Sequence, residues 1–214
     1  MELKADENTM DQDEYGGYSK QQIGSLTTDG EDPRSGWCQL AYWEMGERVG
    51  SFVPVETCAI DVFSEQPRGD GLCIPVLAKQ RQTRTPDAVL KTREKIGLGV
   101  TLSRELDGVW LYNRSSSPVF VHSPTLCDIN SRTTNVHKVL PGHCLRAFDP
   151  LKVNESIKWP SHIRGFQLGP VDPHSLKISF VKGWGLNYSR QDVNSCPCWM
   201  EVLLNRDGLH CPCR

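Results

Sequence analysis

From Gly36 onward the chain is a series of short apolar runs cut by Gly, Pro, Asn and Asp. The runs that predict strands are 37–43 (WCQLAYW), 49–55, 58–63 (CAIDVF), 72–77 (LCIPVL), 98–104 (LGVTLSR), 109–113 (VWLYN), 118–122 (PVFVH), 144–148 (CLRAF), 175–182 (SLKISFVK) and 198–204 (CWMEVLL). Several alternate with period two. Ile178 and Phe180 fall on one face and Lys177 and Ser179 on the other, as in a strand with one buried side. Leu106-Asp107-Gly108 lies between two runs and predicts a hairpin. One helix is marked: Thr85 suits the N-cap, Pro86 the first helical position and Asp87 the positive end of the dipole. It runs from Asp87 to Lys95, and Ile96-Gly97 ends it. Residues 149–174 hold Pro150, Pro160, Pro170 and Pro173, so any helix there is short. Many short strands with regular turn chemistry predict a mainly β fold, a β-sandwich.

Charge divides the chain. Residues 1–35 hold nine acids against three bases, a net −6, while the whole chain is −2, which leaves +4 on residues 36–214. The first segment has few large aliphatics and cannot bury enough surface to offset its ordering entropy, so 1–35 is expected to be a disordered acidic leader. All six Trp lie beyond it, where a core is expected. No apolar run approaches ~18 residues, so no membrane insertion is expected. The opening MELKADENTMDQDE has no apolar h-region, and neither a signal peptide nor secretion is expected. The nine cysteines are then expected to be reduced thiols, and their odd number argues against a closed disulfide framework. On the same ground Asn113-Arg-Ser115, Asn154-Glu-Ser156 and Asn187-Tyr-Ser189 are chance matches to the glycosylation pattern.

Candidate chemistry is sparse. Cys196-Pro-Cys198 and Cys211-Pro-Cys213 would offer four thiolates to zinc, but structural zinc sites favour CxxC knuckles and Cys198 falls in a predicted strand. Buried or free thiols are the favoured reading, with no metal. No nucleophile elbow, phosphate-binding GxxxxGK[ST] or HExxH is present, so no catalytic residue and no cofactor is assigned. The basic residues say more. Lys91 and Lys95 share a face of the predicted helix, which is either a solvated face or a docking one. Lys182-Gly183-Trp184-Gly185-Leu186-Asn187-Tyr188-Ser189-Arg190 combines glycines for close approach with aromatics and cations, the chemistry of contact hot spots. A packing corner is the rival reading.

That loop with its flanks, Ser179 to Gly185, then Tyr188-Ser189-Arg190-Gln191 and Ser195-Cys196-Pro197-Cys198-Trp199, resembles the L3 loop and last strand of the C-terminal Mad-homology domain of the Smad family. Trp37-Cys38, Ala41-Tyr42-Trp43-Glu44 and Arg48-Val49-Gly50 resemble the opening strand of that domain. Thr92-Arg93-Glu94-Lys95-Ile96-Gly97-Leu98-Gly99-Val100 resembles its first helix and following strand. The resemblance spans about Gly36 to Asn205. Asp107 to Ser116 and Ser123-Pro124-Thr125-Leu126 are similar to the inhibitory branch, in its insect-type form.

The resemblance implies an FHA-like/Smad-type antiparallel β-sandwich over 36–205, with a loop-helix region at one end. The helical bundle at the other end is reduced, because 149–174 is proline-rich, and 206–214 is a short Cys/Pro tail. It implies an inhibitory Smad, a negative regulator of TGF-β/BMP signalling. Such a protein binds the activated type I receptor serine/threonine kinase through a basic groove and competes with receptor-regulated Smads. The groove falls on Lys91, Lys95, Lys182 and Arg190, with Gly183, Trp184, Gly185, Tyr188 and Gln191 as the contact loop. Receptor phosphoserines bring charge and acceptors that Lys and Arg match. The chain has no Ser-x-Ser ending, from which a stoichiometric competitor is expected. The alternative is a Smad-sequestering or transcriptional co-regulator acting by hetero-oligomerisation. Other Smad proteins and E3 ubiquitin ligases are further implied partners, although no PPxY occurs. Direct DNA binding is not expected from +4 without a recognition motif. The expected compartments are cytoplasm and nucleus.

Overall fold

The alternating runs pair into two sheets in the structure, a computed structural model that describes residues 36–65, 71–126, 135–153 and 172–209. The acidic leader, residues 154–171 of the 149–174 stretch where a reduced bundle is expected, and the pair Cys211-Pro212-Cys213 lie outside these residues. Eleven strands form: β1 (Cys38–Glu44), β2 (Glu47–Val55), β3 (Ala59–Phe63), β4 (Leu72–Cys73), β5 (Val100–Glu105), β6 (Gly108–Asn113), β7 (Val119–His122), β8 (His137–Val139), β9 (Cys144–Phe148), β10 (Ser175–Phe180) and β11 (Trp199–Leu204). One sheet has the order β2-β1-β11-β10-β7-β8 and the other β4-β3-β5-β6-β9. Every pairing is antiparallel except β3 with β4.

The sandwich follows from which side chains leave water. Leu40, Tyr42, Leu176, Ile178, Phe180, Met200 and Val202 of the first sheet share one buried cluster with Val62, Val100, Leu102, Val109 and Leu111 of the second. Fully burying each aliphatic side chain contributes about 1.5–3 kcal/mol. The expected alternation in β10 holds at Leu176, Ile178 and Phe180, but Ser179 is fully buried too. It lies beneath the loop that follows the strand. In the β5–β6 hairpin Glu105 pairs with Gly108, leaving Leu106-Asp107 as the turn. Gly108 has φ +143°, and a Cβ there would sit 2.0 Å from the Phe148 carbonyl oxygen, so only glycine fits.

Four local expectations are corrected. The run 72–77 is not one strand: two residues form β4, and helix α1 (Ile74–Ala78) follows. Pro75 cannot donate to a strand ladder but suits the first turn of a helix, and Ile74 and Leu77 then bury one face. The marked helix, α2 (Asp87–Ile96), has Pro86 rather than Thr85 at its N-cap, without a side-chain cap. A one-turn helix α3 (Arg206–Leu209) occupies the start of the expected tail. It is held where the Arg104 guanidinium donates to the Gly208 carbonyl. Finally, Cys58 is disulfide-bonded, whereas Cys38, Cys73, Cys144, Cys196 and Cys198 are the free thiols expected. A pairing of this kind depends on approach in space, which cysteine spacing does not report.

Candidate functional site

Helix α2 turns Val89, Thr92 and Ile96 inward and leaves Lys91 and Lys95 exposed on its outer side. Its position is set by a buried carboxylate. Glu44, at the end of β1, is fully buried and lies between two arginines. Arg81, from the segment before α2, donates to Oε2 at 2.6 Å, and Arg93 of α2 donates through Nε to Oε1 at 2.6 Å. The Tyr42 hydroxyl adds a bond to Oε1 at 3.0 Å. Burial alone would lower the Arg93 pKa, but the hydrogen bond and charge of Glu44 reverse this and raise it. The C-terminal end of α2 is pinned as well: Ser115 Oγ donates to the Lys95 carbonyl at 3.2 Å, and Gly97 ends the helix.

The second basic element begins where β10 stops. Val181 has φ +66°, a backbone region that β-branched residues avoid. The turn is tight: the Lys182 N–H donates to the Phe180 carbonyl at 2.7 Å across the strained Val181. This turn carries the chain off the sheet into the 182–190 loop. The Lys182 carbonyl then accepts from Ser179 Oγ at 2.7 Å and from Cys196 Sγ at 3.6 Å. The loop closes on itself, with the Gly185 N–H on the Arg190 carbonyl at 2.7 Å and the Tyr188 N–H on the Gly185 carbonyl at 3.0 Å. Arg190 Nε donates to the Ser195 carbonyl at 3.2 Å, and Gln191 Nε2 to the Tyr188 carbonyl at 3.4 Å. Both bonds brace the loop against itself, and a pre-organised loop loses less entropy on docking.

Cys196-Pro197-Cys198 joins the two elements. Cys196 is bonded to Lys182, and two residues on, Cys198 Sγ donates to the Val89 carbonyl of α2 at 3.7 Å. The Met45 N–H is shared between the Cys196 and Pro197 carbonyls, each at 3.2 Å. Trp199 Nε1 returns a bond to the Met45 carbonyl at 2.7 Å, and its ring stacks on Trp43 at 5.1 Å between centroids. Burial raises the pKa of both thiols, that of Cys198 to about 12, so each is a neutral S–H donor.

A profile of the MH2 domain matches residues 35–205. The chain belongs to the MH2 domain family. Mothers against decapentaplegic homolog 6 of Gallus gallus is 45% identical over 174 residues, covering 81% of this chain and 39% of that protein. Homolog 7 of Homo sapiens is 45% identical over 190 residues, covering 89% of this chain and 42% of that protein. Both relatives are inhibitory Smads. The chain thus spans about two fifths of the curated relatives it matches. The IAD domain of Interferon Regulatory Factor 9 is 13% identical, covering 85% of this chain and 87% of that one, at TM-score 0.49.

Within this MH2 domain the nine residues singled out from the sequence divide by exposure. Lys91, Lys95 and Gln191 are exposed, and Lys182, Arg190, Gly185 and Tyr188 are half-buried. Gly183 and Trp184 are buried. The Trp184 ring, 4% exposed, packs with Phe120, Val193, Cys196 and Trp199 beneath the loop. It anchors the loop, while Leu186, 68% exposed, stands at the surface instead. Tyr188 meets Phe120 edge to face at 5.2 Å. Glu44, Ser115 and Ser179, which fix the two elements, were not foreseen. A carboxylate ending the apolar run CQLAYWE was the one available signal for Glu44. Gly183 is where the loop is tightest, since a Cβ there would lie 2.5 Å from the Tyr188 ring. Gly183→Ala is expected to push Tyr188 off Phe120, lower the melting temperature by only a few degrees and weaken partner binding several-fold. Thermal melting beside a binding titration checks it, and unchanged binding would count against the loop as a contact element.

Proposed function

We propose that this MH2 domain antagonises TGF-β/BMP signalling by occupying the phosphorylated type I receptor kinase in place of receptor-regulated Smads. The supporting observation is the Cys196-Pro197-Cys198 tie, which sets the Lys182 loop and the Lys91/Lys95 helix on one short segment. Four cations on two braced elements suit a phosphorylated acidic surface, because a phosphoserine brings about −1.5 to −2 charge and three acceptors. The domain acts as a stoichiometric competitor, without chemistry of its own, in the cytoplasm and nucleus.

The test is capture of the chain on phosphorylated type I receptor kinase. Lys182→Ala/Arg190→Ala is expected to reduce binding at least tenfold, since each charge-assisted hydrogen bond contributes about 1.5–3 kcal/mol. Both side chains reach solvent, so the melting temperature should hold. Full binding by the double variant would overturn the groove assignment. A stable complex with a phosphorylated regulated Smad, formed without any receptor binding, would favour sequestration instead.

A further inference from the structure

Three Ser/Thr-Pro dipeptides occur in the chain: Thr85-Pro86, Ser117-Pro118 and Ser123-Pro124. The fold treats them differently. Ser123 is fully buried, and its Oγ is bonded to Thr125 Oγ1 at 3.0 Å. Ser117 is locked by its backbone. Its N–H donates to Ser115 Oγ at 3.0 Å, its carbonyl accepts from Asn113 Nδ2 at 2.9 Å, and the Pro118 carbonyl accepts from the Val181 N–H at 3.0 Å. Neither can be drawn out as an extended segment without breaking the sheet that carries it.

Thr85 stands apart. Gln82, Thr83, Arg84, Pro86 and Asp87 around it are all exposed. Among the described residues, the Thr85 hydroxyl makes no hydrogen bond, and residues 82–85 make none through their backbone. The arch is tethered at its start, by Arg81 on Glu44 and Glu47 and by the Thr83 hydroxyl on Glu47, and at its end by the start of α2. Pro86 is extended, with φ −63° and ψ 147°, and a residue preceding proline is itself biased to extended backbone. Thr83, the other hydroxyl in the arch, is taken by Arg81 at 2.9 Å and is not followed by proline.

We infer that Thr85 is a phosphate acceptor for a proline-directed serine/threonine kinase, and that the phosphate weakens the basic surface of α2. In the transfer, Thr85 Oγ1 attacks the γ-phosphorus of ATP. The new Oγ1–P bond forms as the bond to the ADP oxygen breaks, and the hydroxyl proton passes to the base of the kinase. The product carries about −1.5 to −2 charge beside a helix whose exposed cations begin at Lys91. Lys91 lies four residues into α2, about 6 Å along its axis from Asp87, and Thr85 stands two residues before that start, so the separation is on the order of one screening length, ~8 Å, at physiological salt. The added charge weakens the attraction of Lys91 for an anionic partner, and that of Lys95 less. This second half rests on the reading of that surface as the receptor-binding one.

The experiment treats the full chain with an active proline-directed kinase and ATP and maps the product by mass spectrometry. Phosphate is expected on Thr85, and Thr85→Ala and Pro86→Ala should each abolish it. No incorporation, or incorporation elsewhere with Thr85 unmodified, overturns the site. The phosphorylated chain should then bind phosphorylated receptor kinase about three- to tenfold more weakly and leave a heparin column at lower salt. An unchanged heparin elution overturns the electrostatic half without reference to the receptor. If the unmodified chain fails to bind the receptor while the heparin shift is seen, the receptor reading falls and the phosphorylation inference stands.

Discussion

Replacing Glu44 by glutamine should lower the melting temperature of the domain by about 10 °C, the largest effect expected of any single charge in it. Glu44 is fully buried, and the arginines on either side of it, Arg81 and Arg93, have side chains only 8% and 14% exposed. Glutamine keeps the shape but loses the charge and turns an N–H₂ toward a guanidinium. Arg93 is then left without its counter-charge in a poorly solvated place, and Arg81 keeps only the exposed Glu47. Removing one partner of a buried pair costs about 3–5 kcal/mol. In a domain of this size each kcal/mol moves the midpoint by about 2–4 °C. The control is Glu47→Gln. Glu47 bonds the same Arg81 at 2.6 Å but is 49% exposed, and its loss should cost under about 1 kcal/mol. Equal melting temperatures for the two variants would show that the Glu44 network does not brace α2.

Trp184→Ala should remove the proposed receptor binding as thoroughly as the loss of Lys182 and Arg190, although no cation is touched. The indole is wedged with Phe120, Val193, Cys196 and Trp199, and truncating a buried tryptophan costs about 3–5 kcal/mol. The cavity opens directly beneath Lys182 and Gly183, so the loop loses the floor that aims it. Leu186→Ala, at the exposed tip, is the matched change and should leave the melting temperature unaltered. Calorimetry and capture on the phosphorylated receptor kinase separate the two. A Trp184→Ala chain with normal melting and normal binding would mean that the loop is positioned by its backbone bonds alone.

Much of this architecture was legible in the sequence, and the reason is local. Period two survives wherever one face of a strand is buried and the other is not, as in Leu176, Ile178 and Phe180. The strands, their approximate ends, the β5–β6 hairpin and helix α2 all follow from such short-range patterns. The family was legible because the 179–199 stretch keeps its residues in order. Local signals failed where they compete. In 72–77 a continuous apolar run fits a buried strand and a helix face equally well, and Pro75 with Ile74–Leu77 spacing tipped it toward helix. At 137–139 three residues were too few to show a period.

The chain by itself determined which residues carry charge and where α2 and most of its strands lie, because neighbours along the chain are enough for that. Only the tertiary structure decided how those residues are held. Trp184 reads in sequence as contact area, yet packing against Phe120 and Trp199, 64 and 15 positions away in number, makes it the floor of the loop. Cys196-Pro197-Cys198 suggests metal ligands or idle thiols until its two sulfurs are seen on the Lys182 and Val89 carbonyls. Glu44 looks like the polar end of a strand until Arg81 and Arg93 close over it. Each of these roles depends on a hydrogen bond or contact between residues far apart in the chain. Such partners are chosen by how the sheets and helix dock, and no local periodicity records that.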